Sequence, residues 1–257
     1  EALHQAALGG PGRDGRALVD LVEPVEEQAE DGAVPRVAQF VGEIGGQVAT
    51  PGGQHAVVAF DKVTGNTVWK SDKPATAGYS SCVPVTLNGS TVIVNGSQSG
   101  LFVVDAKTGK ELCRHPFADG NVANSPTPAY ADGRLFWAVG YNKGGICLKI
   151  ANGSGKVTCE EAWTTRDFAC HPGNYVVSQG RIYGKGKGGL VCADLKTGQT
   201  LWQERGGAGQ ATWADGMIYS LADSGGRLTL IDPSDEGNRV KGRLQVAGTG
   251  NSWSHPV

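Results

Sequence analysis

Short apolar runs recur along the chain, and each is bounded by glycine or by small polar residues. The segments TVIV, LFVV and LVCA, beginning at Thr91, Leu101 and Leu190, are examples. Apolar runs of four to eight residues between turn signals are typical of β-strands. Glycine, at 40 of 257 residues, falls between these runs as turns fall between strands. The pattern therefore predicts an all-β protein.

A first turn signal places a polar residue and a glycine between two apolar runs. The four glycines are Gly89, Gly133, Gly180 and Gly216, separated by steps of 44, 47 and 36 residues. Asn-Gly and Asp-Gly favour the type I′ hairpin turn, because both of its central residues need a positive φ. Each signal therefore predicts a tight antiparallel hairpin.

A second turn signal, Asp-x-x-Thr-Gly, keeps phase with the first. It begins at Asp61, Asp105 and Asp194, with a looser copy at Asp232 and a degenerate copy that ends at Trp163. We expect each aspartate to accept hydrogen bonds from backbone N–H groups two or three residues on. Gly65, Gly109 and Gly198 then supply the left-handed position that ends the turn. These aspartates are predicted to be structural, not catalytic.

Together the two signals describe a four-stranded antiparallel unit of about forty residues, which is the mark of a β-propeller blade. Residues 34–257 hold about five units and a partial one, an incomplete ring, whereas residues 1–33 do not fit the repeat. A β-sandwich is the alternative fold. Trp69 and Trp202 are expected to pack between neighbouring blades. Cys113 takes the same place in the second unit as a smaller plug.

Charge and cysteine content narrow the function classes. A net charge of −2 without a basic run argues against binding nucleic acid through phosphates. No apolar stretch has the length of a membrane span, and the N-terminus does not have the pattern of a signal peptide. The six cysteines lack metal-site spacing. The favoured interpretation is that they are small buried hydrophobic residues rather than disulfides.

The segments AVVAFDKVTGNTVW, LFVVDAKTGKEL and LVCADLKTGQTLW resemble the repeat of the PQQ-like (pyrroloquinoline quinone) β-propeller family. That family includes quinoprotein alcohol dehydrogenases and the bacterial barrel-assembly propeller. The resemblance implies a periplasmic or secreted bacterial protein. The dehydrogenases hold PQQ beside a pair of adjacent cysteines and a calcium ion bound by Glu, Asn and Asp. This chain has no adjacent cysteine pair, and no such ligand set maps onto it. Lys185 and Lys187 are conceivable partners for the anionic quinone, although a solvated loop is the favoured setting for them.

Small and polar residues precede the first strand of each unit, and a propeller would arrange them around its channel. The candidate binding residues are Ser81, Asn124, Ser125, His171, Gln210 and His255. One interpretation is a shared mouth for a protein or small-molecule ligand. The favoured one is that crowding at the axis selects such residues regardless of function.

Two functions remain open. The preferred hypothesis is a non-catalytic binding or scaffold module of the bacterial envelope that needs no cofactor. The alternative is the propeller of a PQQ- and calcium-dependent oxidoreductase, for which no catalytic residue can be named from the sequence.

Overall fold

The computed structural model describes residues 46–49, 53–118, 124–153, 155–171, 175–205, 208–233, 236–237, 239–247 and 250–253. The described residues contain nineteen β-strands and no helix. Accordingly, none of them belongs to a helix long and apolar enough to cross a bilayer. The non-repeat segment 1–33 and the first strand expected for the first unit lie outside the described residues.

The strands form five sheets, numbered here in chain order. Sheet 1 holds β1 (Gly46–Ala49), β2 (Val58–Asp61) and β3 (Thr67–Lys70). Sheet 2 holds β4 (Val83–Leu87), β5 (Ser90–Ser97), β6 (Gly100–Asp105) and β7 (Glu111–Pro116). Sheet 3 holds β8 (Ala129–Ala131), β9 (Arg134–Val139), β10 (Gly144–Gly153) and β11 (Lys156–Thr165). Sheet 4 holds β12 (Tyr175–Ser178), β13 (Arg181–Lys185), β14 (Gly189–Asp194) and β15 (Thr200–Arg205). Sheet 5 holds β16 (Gly209–Ala214), β17 (Met217–Ala222), β18 (Arg227–Asp232) and β19 (Arg239–Gln245).

Every sheet is an antiparallel meander in which consecutive strands are hydrogen-bonded neighbours. The predicted type I′ turns are confirmed, since both central residues of each have a positive φ. The pairs are Asn88–Gly89, Asp132–Gly133, Gln179–Gly180 and Asp215–Gly216, with φ between 48° and 80°. Asn and Asp tolerate this left-handed region better than other non-glycine residues. Three of the four hairpins follow from Asn-Gly or Asp-Gly, whereas Gln179 adopts the same conformation before Gly180.

Successive sheets pack face to face, and the core is divided among the four interfaces between them. In β5, Val92 and Val94 face sheet 3, whereas Ile93 between them faces sheet 1. In β9, Leu135 and Trp137 face sheet 2, whereas Phe136 faces sheet 4. Successive side chains of a strand point to opposite faces. A strand buried on both faces therefore reads as the continuous apolar run seen in the sequence. This arrangement is that of β-propeller blades, as predicted.

The cysteines divide into two groups, and the expectation of uniformly buried thiols is wrong for two of them. Cys113 in β7 and Cys159 in β11 form a disulfide with their Cα atoms 6.0 Å apart. Cys147, Cys170 and Cys192 are buried free thiols, and Cys82 is a half-buried one. The disulfide escapes sequence reasoning because its cysteines are 46 residues apart and belong to different sheets.

Candidate binding surface at the link end of the sheets

Each sheet has two ends with different connections. The turn end carries the type I′ turns and the Asp-x-x-Thr-Gly turns. The link end carries the links between the second and third strands, such as Gly140–Lys143, and the connections from one sheet to the next. Ser81, Asn124, Ser125 and His171 precede a first strand, and Gln210 is the second residue of β16, so these five candidate binding residues lie at or next to the link end.

The Asp-x-x-Thr-Gly turns at the turn end are closed by their own side chains. Asp61 Oδ1 accepts bonds from the N–H of Val63 at 3.1 Å and of Thr64 at 2.7 Å, and from Thr64 Oγ1 at 2.8 Å. Asp105 accepts the same three bonds from Lys107 and Thr108. Asp194 accepts two bonds from Thr197. With every carboxylate committed to its own turn, these residues shape the backbone.

The pKa values of two of these carboxyls follow from the bonds. The backbone N–H of Thr64, followed by its hydroxyl, holds the pKa of Asp61 below its ordinary value of 3.8. At Asp194, burial acts to raise the pKa. The bonds from Thr197 and the charge of Arg181 outweigh it, and the pKa is again lowered. Hydrogen bonds to a carboxylate favour its charged form.

The tryptophans bridge neighbouring sheets near their outer edges. Trp69 Nε1 donates to Ala106 O at 3.0 Å, and a Cβ at Gly109 would overlap the Trp69 ring. Trp163 repeats the arrangement, donating to Leu195 O at 3.1 Å and covering Gly198. We call each of these pairs a Trp–Gly lock. Trp202 is half-buried beside Tyr183, at the interface of sheets 4 and 5.

Two of the candidate binding residues are packed in the interior of the fold. Asn124 is fully buried; its Oδ1 accepts a bond from Tyr79 N at 3.3 Å, and its amide packs on Gly78 of the preceding connection. Gln210, in β16, is also fully buried. Neither side chain is accessible to solvent, and a part of either in a binding site stays a prediction.

The other described candidates are open to solvent to different degrees. Ser81 is exposed, and its N–H donates to Thr127 Oγ1 at 3.4 Å. Ser125 and His171 are half-buried. The His171 ring stacks on Tyr141, with centroids 4.6 Å apart, and its backbone packs on Gly140. His255 lies outside the described residues.

These contacts join the connections and links of adjacent sheets two at a time. The connection before sheet 3 contacts the connection before sheet 2, and the connection before sheet 4 contacts a link of sheet 3. A shared mouth formed by all six residues stays a prediction.

Sequence reasoning missed the aromatic residues of the link end. Tyr79 is 77% exposed and Tyr141 is 64% exposed. Tyr141 has φ of 52° and Asn142 has φ of 62°, a left-handed pair in the link between β9 and β10. Such a conformation is unusual for a bulky side chain. The available signal was an aromatic residue inside a polar turn that lacks glycine at its centre, Gly-Tyr-Asn-Lys. Tyr79 and Tyr141 lie in different connections, and Tyr141 is the one whose ring contacts His171.

The described side chains offer little that suits a quinone or calcium site. The paired cysteines are on outer strands, not adjacent in sequence as a quinone platform would require. Lys185 is ion-paired with Asp223, so its charge is already neutralised, and Lys187 is exposed. Among the described residues, no three His, Cys, Asp or Glu side chains are grouped to hold a metal ion. The side chains named here do not fit a site for PQQ and calcium.

Three of the four free thiols are poor nucleophiles near neutral pH. Burial raises the pKa of Cys82, Cys147 and Cys170 to about 12. The thiolate is the nucleophilic form of cysteine, and it is scarce near neutral pH at such values.

Solved structures similar to this chain are large propeller-type proteins. They include the computationally designed Ika8 protein (TM-score 0.53, 13% identity), a europium-containing methanol dehydrogenase (0.53, 14%) and the dihydro-heme d1 dehydrogenase NirN (0.50, 14%). The matches cover 79, 74 and 75% of this chain but 59, 47 and 43% of those chains. At these identities the likeness concerns the fold. No curated protein matches the chain significantly.

A family model matches residues 28–204, more than half of the chain, and its description is outer membrane protein assembly factor BamB. The matched range contains the three Asp-x-x-Thr-Gly turns and both Trp–Gly locks described above. The chain therefore belongs to this family of PQQ-like β-propellers.

Proposed function

We propose that the protein is a non-catalytic binding module of the bacterial envelope that docks a partner protein on its link end. The observation that carries the proposal is the exposed ring of Tyr141 at the link end, which contacts the ring of His171. Tyrosine and other aromatic residues are enriched at protein interfaces, because they supply a large contact area and a polar group together. Tyr141 has a left-handed backbone, is 64% exposed and packs its ring against that of His171 at a tilt of 40°.

The membership of the family and the disulfide support the placement in the envelope. The family is described by an outer membrane assembly factor. Disulfides persist in oxidising compartments such as the bacterial periplasm and are rare in the cytosol. The Cys113–Cys159 pair is therefore in keeping with export of the chain.

The test is site-specific photo-crosslinking with the full chain in bacterial cells. A photoreactive phenylalanine analogue replaces Tyr141 in one variant and Val63 in another. Val63 is 84% exposed but lies at the turn end, so it serves as the matched control. We expect one predominant protein adduct from position 141, identified by mass spectrometry, and none of that identity from position 63. Equal adducts from both positions, or none from position 141, would contradict the proposal.

The oxidoreductase alternative is tested separately with purified chain. PQQ and calcium are titrated while absorbance and dye-linked alcohol oxidation are followed. We expect no saturable binding and no turnover. Tight binding with turnover would overturn the non-catalytic assignment, whatever the crosslinking shows.

A further inference from the structure

The outer edges of two interfaces are closed in the same way. At the interface of sheets 1 and 2, Trp69 covers Gly109; at the interface of sheets 3 and 4, Trp163 covers Gly198. In both cases the indole N–H also donates to the residue that follows the turn aspartate. Each lock needs a tryptophan on one sheet and an Asp-x-x-Thr-Gly turn on the next.

The interface of sheets 2 and 3 lacks both halves of this lock. Cys113 pairs with Val103 at the strand irregularity where Trp69 pairs with Ala59 and Trp163 pairs with Cys147. It thus stands at the tryptophan position of sheet 2. In sheet 3, the turn that would receive a tryptophan is absent. In its place β10 and β11 continue as a longer hairpin of ten residues per strand.

Other contacts replace the missing lock. The disulfide joins Cys113 of β7 to Cys159 of β11. Two residues along each strand, His115 Nε2 lies 3.2 Å from Glu161 Oε2. The extended hairpin also reaches the first turn of sheet 2, where Asn88 Nδ2 donates to Asn152 O at 2.8 Å. The hairpin extension therefore places Cys159 opposite the cysteine that replaces the tryptophan.

We propose that Cys113 and Cys159 are a modification site, oxidised during maturation by a thiol–disulfide exchange partner to close the interface of sheets 2 and 3, where both halves of the Trp–Gly lock are missing. The thiolate of one cysteine attacks the disulfide of the donor, breaks its S–S bond and forms a mixed disulfide. The second thiolate then attacks the protein sulfur of that mixed disulfide. The intramolecular bond forms, and the donor leaves with two electrons and two protons as two thiols.

Accessibility separates the two outer cysteines from three of the four free thiols. Cys113 and Cys159 are half-buried on outer strands, whereas Cys147, Cys170 and Cys192 are inside the sheet interfaces. Cys82, the remaining thiol, is half-buried and accepts a hydrogen bond from Asn95 Nδ2 at 3.4 Å. A soluble donor therefore reaches the two outer cysteines of the folded chain before it reaches the buried thiols.

The first experiment uses the full chain purified without reductant. The native protein is alkylated with iodoacetamide, unfolded and mapped by mass spectrometry. We expect a cross-linked peptide that contains Cys113 and Cys159 and is lighter than the reduced pair by two hydrogen atoms. After reduction and unfolding, refolding with oxidised glutathione should restore the same pair. Alkylation of both cysteines in the unreduced native chain would overturn the proposal.

The second experiment measures what the bond does for the interface. The loop closed by the disulfide spans 46 residues. Closing a loop of that size is expected to raise Tm by roughly 10 °C in a domain of this size. Reductant should lower the Tm of the unmutated chain by about that amount, and leave the double variant Cys113→Ala/Cys159→Ala unaffected. An unchanged Tm of the unmutated chain under full reduction would refute the proposed closing role.

Cys82→Ser is the matched control, because serine keeps an acceptor for Asn95. This variant should retain the full response to reductant. Since the main measurement is made on the unmutated chain, it does not depend on the folding of any variant.

Discussion

At the residue scale, the repeated glycines have one backbone conformation but two different surroundings. Gly65 and Gly109 both have φ of 73° and end the same kind of turn. Nothing lies within 4 Å of a Cβ built at Gly65, whereas a Cβ at Gly109 would enter the Trp69 ring. The first glycine is required by the backbone alone, and the second also by the lock.

This difference gives a controlled stability prediction. Gly65→Ala should cost about 1 kcal/mol, the strain of a left-handed L-residue. Gly109→Ala should cost roughly 2–4 kcal/mol, because overpacking against the indole adds to the same strain. Urea unfolding of the two variants measures both values. Equal losses would mean that the Trp69 ring moves aside without cost.

The sequence predicted the residue types of this lock but not their partners. The spacing of Asp, Gly and Trp was evident, and it predicted both the turn and a tryptophan between sheets. That the tryptophan of one unit covers the glycine of the next depends on how the sheets are stacked, which the spacing within a unit does not contain. The pairing of Cys113 with Cys159 was missed for the same reason.

At the element scale, the Asp-x-x-Thr-Gly turns contribute to stability through ionised carboxylates. The pKa values of Asp61 and Asp194 are lowered in the folded state. The unfolded state therefore binds protons more readily than the native state in the acid range. The contribution is fully present above the unfolded value of 3.8 and is lost as pH falls through the lower folded value.

We accordingly expect the urea midpoint to fall as pH drops below the unfolded value of 3.8. Asp61→Asn should reduce this fall, because an amide oxygen can accept the same turn bonds without titrating. Asp215→Asn controls for the loss of one surface charge in a turn of another type. A pH dependence that is the same in all three proteins would exclude a role of the Asp61 turn.

The type I′ hairpins were the elements most open to prediction, since Asn-Gly and Asp-Gly specify their backbone locally. The β10–β11 hairpin was harder. The sequence of this segment was interpreted as a degenerate repeat. The extension that replaces the missing turn is held by pairing of β10 with β11 and by the bond from Asn88 of sheet 2 to Asn152. A contact with another sheet does not appear as a repeated pattern in the sequence of the hairpin.

At the scale of the whole molecule, the core is a series of layers, each shared by two consecutive sheets. The layer between sheets 1 and 2 includes Trp69, and Trp163 packs against the layer between sheets 3 and 4. These two layers have no sheet in common. Repeat proteins of this kind owe their stability to the units and to nearest-neighbour interfaces.

The two locks should therefore contribute independently. Trp69→Ala should cost about 3–4 kcal/mol, and Trp163→Ala, whose ring is more exposed, somewhat less. The double variant should lose the sum of the two within about 0.5 kcal/mol. A double-variant loss that departs from the sum by more than about 1 kcal/mol would indicate coupling through the intervening sheets.

The number and type of sheets could be predicted from the sequence. For the candidate surface, the sequence predicted where the residues lie but not which of them are exposed. Residues before each first strand were expected at one end, and those described do lie there. Their exposure was not predictable, because it depends on contacts between different connections. Asn124, which accepts a bond from Tyr79 N, and Gln210 are buried, whereas Tyr141 is 64% exposed.

The division of the core into separate layers also bears on how such chains diverge. An indole over a glycine and a disulfide are chemically unrelated, yet each closes the outer edge of an interface between two sheets. A substitution at one interface leaves the geometry that the other interfaces require unchanged. A chain of this fold can thus change the contacts that close one interface and keep the others.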